Sequence, residues 1–209
     1  MQKNKIKLII ITLILFIIPN VQVNADGHKI YGPFPITLKG YSGDKTNSVK
    51  YTGQMARHVL HDSLKALVKT GDAAKMMAYY NGEDGLEIIA PKSKDEFKIK
   101  QTMVADIGSG NLSGKTYKGA VAGWGNLTGK EVLEHMITKA GEVDGGFDPN
   151  TGFDYTQLIS KFAMGAVFYN QAVNNYLGKK MEIGQKPNSE PYKEGAYYTG
   201  KEHSWDEAF

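Results

Sequence analysis

The chain contains no cysteine. That excludes disulfides, thiol catalysis, zinc–thiolate sites and lipid attachment through an N-terminal Cys, so packing alone must hold the fold. Tryptophan occurs twice and histidine only 5 times. Any site built on imidazole must therefore draw on His28, His58, His61, His135 or His203. No apolar run reaches the roughly 20 residues that a hydrocarbon core demands. The run that exists, Leu8 to Ile18, is relieved only by Thr12 and is broken by Pro19 and Asn20. Lys3, Lys5 and Lys7 precede it, and Val23-Asn24-Ala25 follows. A basic start, a short apolar middle and a small-residue end make the layout of a secretory signal peptide, with cleavage expected after Ala25. The expected product is periplasmic or secreted, with no stable membrane span once the signal is gone.

An excess of charge of one sign is also missing. The whole chain has 25 Lys+Arg against 22 Asp+Glu, but three of the lysines lie in the signal, leaving 22 against 22. A neutral chain gives no electrostatic case for nucleic acid or anionic lipid as a partner. What remains of the 209 residues is enough for one ordinary domain with its own core.

Its organisation reads in three stretches. Residues 26–46 hold Gly32-Pro33-Phe34-Pro35 and Gly40-Tyr41-Ser42-Gly43, which oppose helix and predict an extended arm. Residues 47–209 read as one helical domain. Helix is expected over Asn47–Lys69, with Met55, Ala56, Val59, Leu60, Leu64, Ala66 and Leu67 on one half of the wheel. Gln54, Arg57, His58, His61, Asp62 and Lys65 fall on the other, solvated half. A further helix starts near Asp72. Asn81 to Gly125 is a long irregular insert punctuated by Asn81-Gly82, Asp84-Gly85 and Gly108-Ser109-Gly110.

Helices then return. Thr128-Gly-Lys-Glu131 is a capping box, followed by the stripe Val132, Leu133, Met136, Ile137 and Ala140. The longest helix is expected over Asp154–Leu177, with Tyr155, Leu158, Ile159, Phe162, Ala166, Tyr169, Val173, Tyr176 and Leu177 on one arc. Met164, Val167 and Phe168 behind it suggest a middle buried on both sides, and Gly165-Ala166 a close helix neighbour. Thr199-Gly-Lys-Glu202 repeats the capping box and opens a last helix, with Trp205, Ala208 and Phe209 as its expected buried face. Two large aromatics at the end of a short helix carry the expectation that the domain is truncated at its C-terminal end. The fold class is therefore mainly α, a bundle-like single domain with an extended N-terminal arm and a long irregular insert.

Several candidate sites fail on spacing. Ser109 to Thr116 looks like a phosphate loop, but Ser109 stands where Gly is required, so a surface turn is the better reading. Asp144 to Asp154 resembles a calcium loop, but Gly152, Phe153 and Ile159 occupy ligand and turn positions. An acidic turn capping the next helix fits better. No Ser/His/Asp triad can be assembled by spacing. Glu202-His203-Ser204-Trp205-Asp206-Glu207 is the densest cluster. On a helix, Asp206 lies about 60° and Glu207 about 40° from His203 around the wheel. One imidazole with the carboxylates of Glu202, Asp206 and Glu207 suits iron or another divalent metal, while acids in a first turn also stabilise a helix N-terminus with no ligand at all.

Four blocks carry a family resemblance: Ser48-Val49-Lys50-Tyr51-Thr52-Gly53-Gln54, Asp154 to Lys161, Gly165 to Leu177, and Glu202 to Phe209. Together they resemble a group of bacterial exported proteins known as a domain of unknown function, numbered 4856, whose name assigns no activity. A weaker likeness joins Gly200-Lys-Glu-His203-Ser-Trp-Asp206 to the Gly-x-His-x-x-Glu motif of imelysins, exported helical proteins tied to iron uptake. Here an extra residue separates Gly200 from His203, and Asp206 replaces the Glu. Two functions follow as expectations. The first is a non-catalytic envelope interaction or binding module, with Tyr79, Tyr80, Tyr197, Tyr198, Trp124 and Trp205 available for stacking. The alternative is an imelysin-like periplasmic protein that binds iron, or helps a metal-uptake partner, through Glu202, His203, Asp206 and Glu207.

Overall fold

The computed structural model describes residues 32–89, 99–107, 111–182, 184–185 and 187–209. The expected signal peptide, 1–25, lies outside them, as do the first residues of the expected arm. Among the described residues five α-helices make up the frame: α1 (Thr52–Val68), α2 (Ala73–Asn81), α3 (Gly129–Ala140), α4 (Tyr155–Ala163) and α5 (Gly200–Ala208). The only sheet among the described residues is a two-stranded hairpin, β1 (Phe147–Asp148) antiparallel to β2 (Phe153–Asp154). The fold is mainly α, as expected. No described helix is long and apolar enough to cross a membrane.

Local chemistry explains the starts and stops. Asp72 caps α2 by accepting from the Lys75 N–H at 2.9 Å. Gly82, at φ 73°, closes the helix in the left-handed region. The Asn111 amide fills the space a Cβ would take there, so glycine is required twice over. Thr128 and Glu131 cap α3 reciprocally, and Thr199 and Glu202 do the same for α5. Asp154 caps α4 through the Gln157 N–H. The acidic turn before it is tied by Asp148, which accepts from the Asn150 N–H at 2.9 Å and the Thr151 hydroxyl at 2.7 Å. These bonds hold the Asp148 carboxyl below its usual range.

The core lies where α4 meets α1 and α3, and where α2 meets α1 and α3. The α3 stripe is buried as expected. Leu60, Leu64, Leu133, Ile137 and Ile159 are fully enclosed, each contributing roughly 1.5–3 kcal/mol of apolar transfer. The insert is pinned from beneath by two tyrosines. Tyr79 accepts the Ile89 N–H, and the Tyr80 hydroxyl pairs with Thr116 at 2.7 Å. Burial raises the pKa of both phenols.

Four expectations need correction. Helix α1 starts at Thr52, not Asn47, because the backbone of Lys50 bonds to α5 instead. Its buried face is also wider than one half: Arg57, His61 and Ser63 are buried, while Ala66 is exposed. His61 is enclosed because its Nε2 meets the Ser160 carbonyl of α4 at 3.0 Å. The Ser109–Thr116 stretch is no surface turn where it is described, since Asn111, Leu112 and Thr116 are all buried.

The long helix differs most. After α4 the chain continues as π-helix over Met164–Tyr169 and Gln171–Tyr176. Wider π turns rotate less per residue, so a stripe drawn at the α period drifts. Tyr155, Ile159, Ala163, Val167 and Tyr176 are buried, whereas Leu158, Met164, Tyr169, Val173 and Leu177 are exposed. The middle is thus not buried on both sides, and apart from its chain neighbours and its own helix backbone nothing comes within 4 Å of where a side chain at Gly165 would begin. Its neighbour there is a loop: the Tyr117 N–H donates to the Ala166 carbonyl at 2.7 Å.

Candidate functional site

Two regions can act: the clasp made by α5, and the outer face of α4 with its π-helical continuation. The sequence cluster on α5 does come together, but around protein groups. Asp206, buried, accepts the Lys50 N–H on Oδ2 at 2.7 Å. Nδ1 of His203 bonds the Lys50 carbonyl at 2.9 Å, which requires the proton on that nitrogen. The Glu202 carboxylate accepts from the Thr199 N–H at 2.7 Å and the Thr37 hydroxyl at 2.8 Å. Glu207 accepts from Gln54 at 3.0 Å and pairs with Lys180 at 2.9 Å. Its other contact is His203 Nε2 at 3.6 Å.

The helix therefore fastens residues 37–50, α1 and the Lys179–Met181 turn to one another. Lys201 adds bonds to the carbonyls of Met181 and Glu182, both at 2.6 Å. Tyr192 and Tyr198 close on the His203 ring at 4.8 and 5.1 Å. As placed, the four candidate ligands leave a metal little beyond His203 Nε2 and one Glu207 oxygen, short of a shell of four to six. Among the described residues, no three His, Asp or Glu groups are placed to hold a metal ion.

The expected buried face of α5 is reversed. Gly200, Ser204 and Asp206 face inward, while Trp205 is 52% and Phe209 75% exposed. Polar burial wins because each inward group is bonded; Ser204 donates to the Gly200 carbonyl at 2.8 Å. The other described imidazoles pack against aromatic rings. His58 stacks on Phe168 at 4.2 Å, with His61 edge-on to the same ring at 5.4 Å. His135 meets Trp124 edge-on at 5.7 Å.

The aromatic set needs the same revision. Tyr79, Tyr80 and Tyr198 are buried and cannot receive a partner. Trp124 and Tyr197 are half-buried. Exposed in their place are Tyr169, Tyr117, Phe153 and Phe147, with Trp205. Tyr117 and Tyr169 line a hollow beside the continuation of α4, and Phe153 lines another beside α4; Phe34, Tyr192 and Phe209 are exposed as well. A hollow of about 470 Å³ lies between the π-helix and the Tyr117–Ala122 loop, with Gly165, Ala166 and Tyr169 on its wall. A second, of about 430 Å³, lies between α4 and the β1–β2 hairpin, lined by Phe153 and Leu158. Lys161 and Phe162 line both. The α-period stripe puts Leu158, Tyr169, Val173 and Leu177 on the core; past Ala163 the change of helical period turns the last three outward.

The comparisons with known proteins add a family. Residues 39–209 match the family described as Domain of unknown function (DUF4856), and the chain belongs to it. Neither curated proteins nor solved structures yield a match.

Proposed function

We propose that the chain is an exported, non-catalytic interaction module that works in the periplasm or outside the cell. Its contact surface is the outer face of α4 and the π-helix. The observation that carries this reading is the row of exposed apolar side chains there. Leu158, Met164, Tyr169, Val173 and Leu177 are each at least 36% exposed, and two hollows open along the same helix. Contiguous apolar surface left in water is costly and marks contact sites. Tyr169 suits such a role, offering a large apolar body with a polar tip.

The test is fluorescence of 8-anilinonaphthalene sulfonate with the native chain, at dilution. Native protein should enhance the dye strongly. The double variant Leu158→Glu, Tyr169→Glu should lose most of that enhancement at an unchanged melting temperature. Equal enhancement by both proteins would sink the assignment of this face.

A further inference from the structure

We propose that the small polar hollow beside the start of α5 binds a neutral sugar ring, of the size of one hexopyranose. The site is separate from the contact face on α4, whose two hollows share none of its lining residues. About 240 Å³ of space is bounded by Gln185, Pro187, Glu190, Pro191, Tyr192 and Gly200, a mostly polar wall. The volume falls below the roughly 300–1,000 Å³ of pockets for drug-sized molecules, so the occupant is a single small ring.

The chemistry of the wall selects the class of ligand. Among the described residues it carries no Lys or Arg, a single carboxylate and no aliphatic side chain but proline. The first absence leaves nothing to match an anion, and the last leaves nothing to hold an acyl chain. One carboxylate is also too few donors for a metal shell of four to six. What remains is one aromatic ring with polar groups around it. Among the described residues neither the Glu190 carboxylate nor the Gln185 amide has a hydrogen bond or ion pair to the protein. The N–H of Gly200, first residue of α5, lacks an intrahelical partner, as every helix start does. Acceptors and donors thus stand side by side, and hydroxyls, able to donate and accept, satisfy both. Tyr192 offers an apolar body to the C–H face of the sugar.

The wall is held in place before anything binds. Tyr192, 40% exposed, rests against the Tyr198 ring at 5.8 Å and the His203 ring at 4.8 Å. Its N–H donates to the Tyr198 carbonyl at 2.9 Å, and the Thr199 hydroxyl donates to Asn188 Oδ1 at 2.6 Å. Pro187 and Pro191 fix their own φ within the same stretch. The loop is thereby tied to the start of α5, and little ordering is left to do on binding. The His203 that bonds the Lys50 carbonyl also backs the aromatic platform.

Saturation-transfer NMR on the purified chain tests the site with methyl glycosides of glucose, galactose, mannose and N-acetylglucosamine, and with choline as the cationic comparison. At least one glycoside should receive saturation, most strongly at its ring C–H protons. Tyr192→Phe should keep the binding, and Tyr192→Ala should weaken it by about tenfold or more. Because Tyr192 also packs on His203, Glu190→Ala and Gln185→Ala give a second reading. Neither side chain has a protein partner among the described residues. Each variant should therefore weaken the glycoside by about threefold or more at an unchanged melting temperature. No saturation of any glycoside would overturn the proposal, as would binding that survives both Tyr192→Ala and Glu190→Ala. Choline bound more tightly than every glycoside would overturn it in favour of a cation held by Glu190 and the Tyr192 ring.

Discussion

Asp206 and Lys50, 156 positions apart, are joined side chain to backbone at 2.7 Å. His203, one turn away on the same helix, takes the carbonyl of the same Lys50 at 2.9 Å. One residue of the extended segment is thus gripped at both its polar groups, much as a strand would grip it. This explains why α1 starts only at Thr52.

Removing the grip should be costly. A hydrogen bond to a charged group contributes roughly 1.5–3 kcal/mol, and here truncation also leaves a donor without its acceptor. Asp206→Ala should lower the free energy of urea unfolding by about 2 kcal/mol, with Asp206→Asn less harmful because an acceptor remains. His203→Ala should couple to it by at least about 0.5 kcal/mol in a double-mutant cycle. Strict additivity would show that the two bonds act separately. Iron, manganese or zinc should leave the melting temperature unmoved. An upward shift abolished by His203→Ala would restore the metal reading.

The caps on α3 and α5 offer a graded comparison. Thr128 is an ordinary surface cap, and Thr128→Ala should cost about 1 kcal/mol. Thr199 is fully buried, caps α5, and also donates to Asn188 Oδ1 at 2.6 Å. Thr199→Ala strands that second group and should cost about 2 kcal/mol or more. Chemical denaturation of both variants checks the order. A larger effect at Thr128 would contradict it.

What the sequence made legible follows physical lines. Helix α3 was readable throughout because it has a capping box, one apolar stripe and one buried side. Both capping boxes act locally, over three residues, so their spacing alone identifies them. The α5 cluster was legible as a gathering of polar groups, but its partner was not. That partner is the backbone of Lys50, and main-chain groups are the same at every position. A helical wheel puts His61 and Arg57 in water because it scores residue type and cannot see the Ser160 carbonyl that meets the His61 imidazole. The π-helix escaped for another reason. Its winding is not written in residue type, and past Ala163 the α period puts Tyr169, Val173 and Leu177 on the buried side when they are exposed.

His58 supplies a pH dependence. Its pKa is held below the usual value, first by withdrawal from water, then by neighbouring His61, with Asp62 opposing. The unfolded chain therefore binds more protons than the folded one once pH falls to about 6.5, the ordinary imidazole value. Stability should decline as pH drops through that value toward the lowered folded pKa, and the loss should be modest because the residue keeps exposed surface. Urea midpoints measured from pH 8 to pH 5 should fall for the native chain and fall less for His58→Gln. Parallel curves would mean His58 does not contribute.

The loop on the π-helix gives the last prediction. The Tyr117 N–H donates to Ala166 at 2.7 Å, and the Gln171 amide donates to the Lys115 carbonyl at 2.9 Å. Asn175 holds Gln171 in place by donating to its Oε1 at 2.9 Å. Insertion of outside donors into a helix ladder is a known cause of local rewinding, and π turns tolerate them. The docked loop also keeps Lys115 out of water beside Arg57 and Lys180, which lowers its pKa. Gln171→Ala removes one donor and should cost about 1 kcal/mol. The sharper readout is local: the Tyr117 amide should exchange slowly in the native chain and faster in Gln171→Ala, while amides of α3 stay unchanged. A Tyr117 amide that exchanges in the native chain as fast as a free loop would show that the loop does not hold the helix in this winding. The exposed apolar residues of that helix would then need another cause.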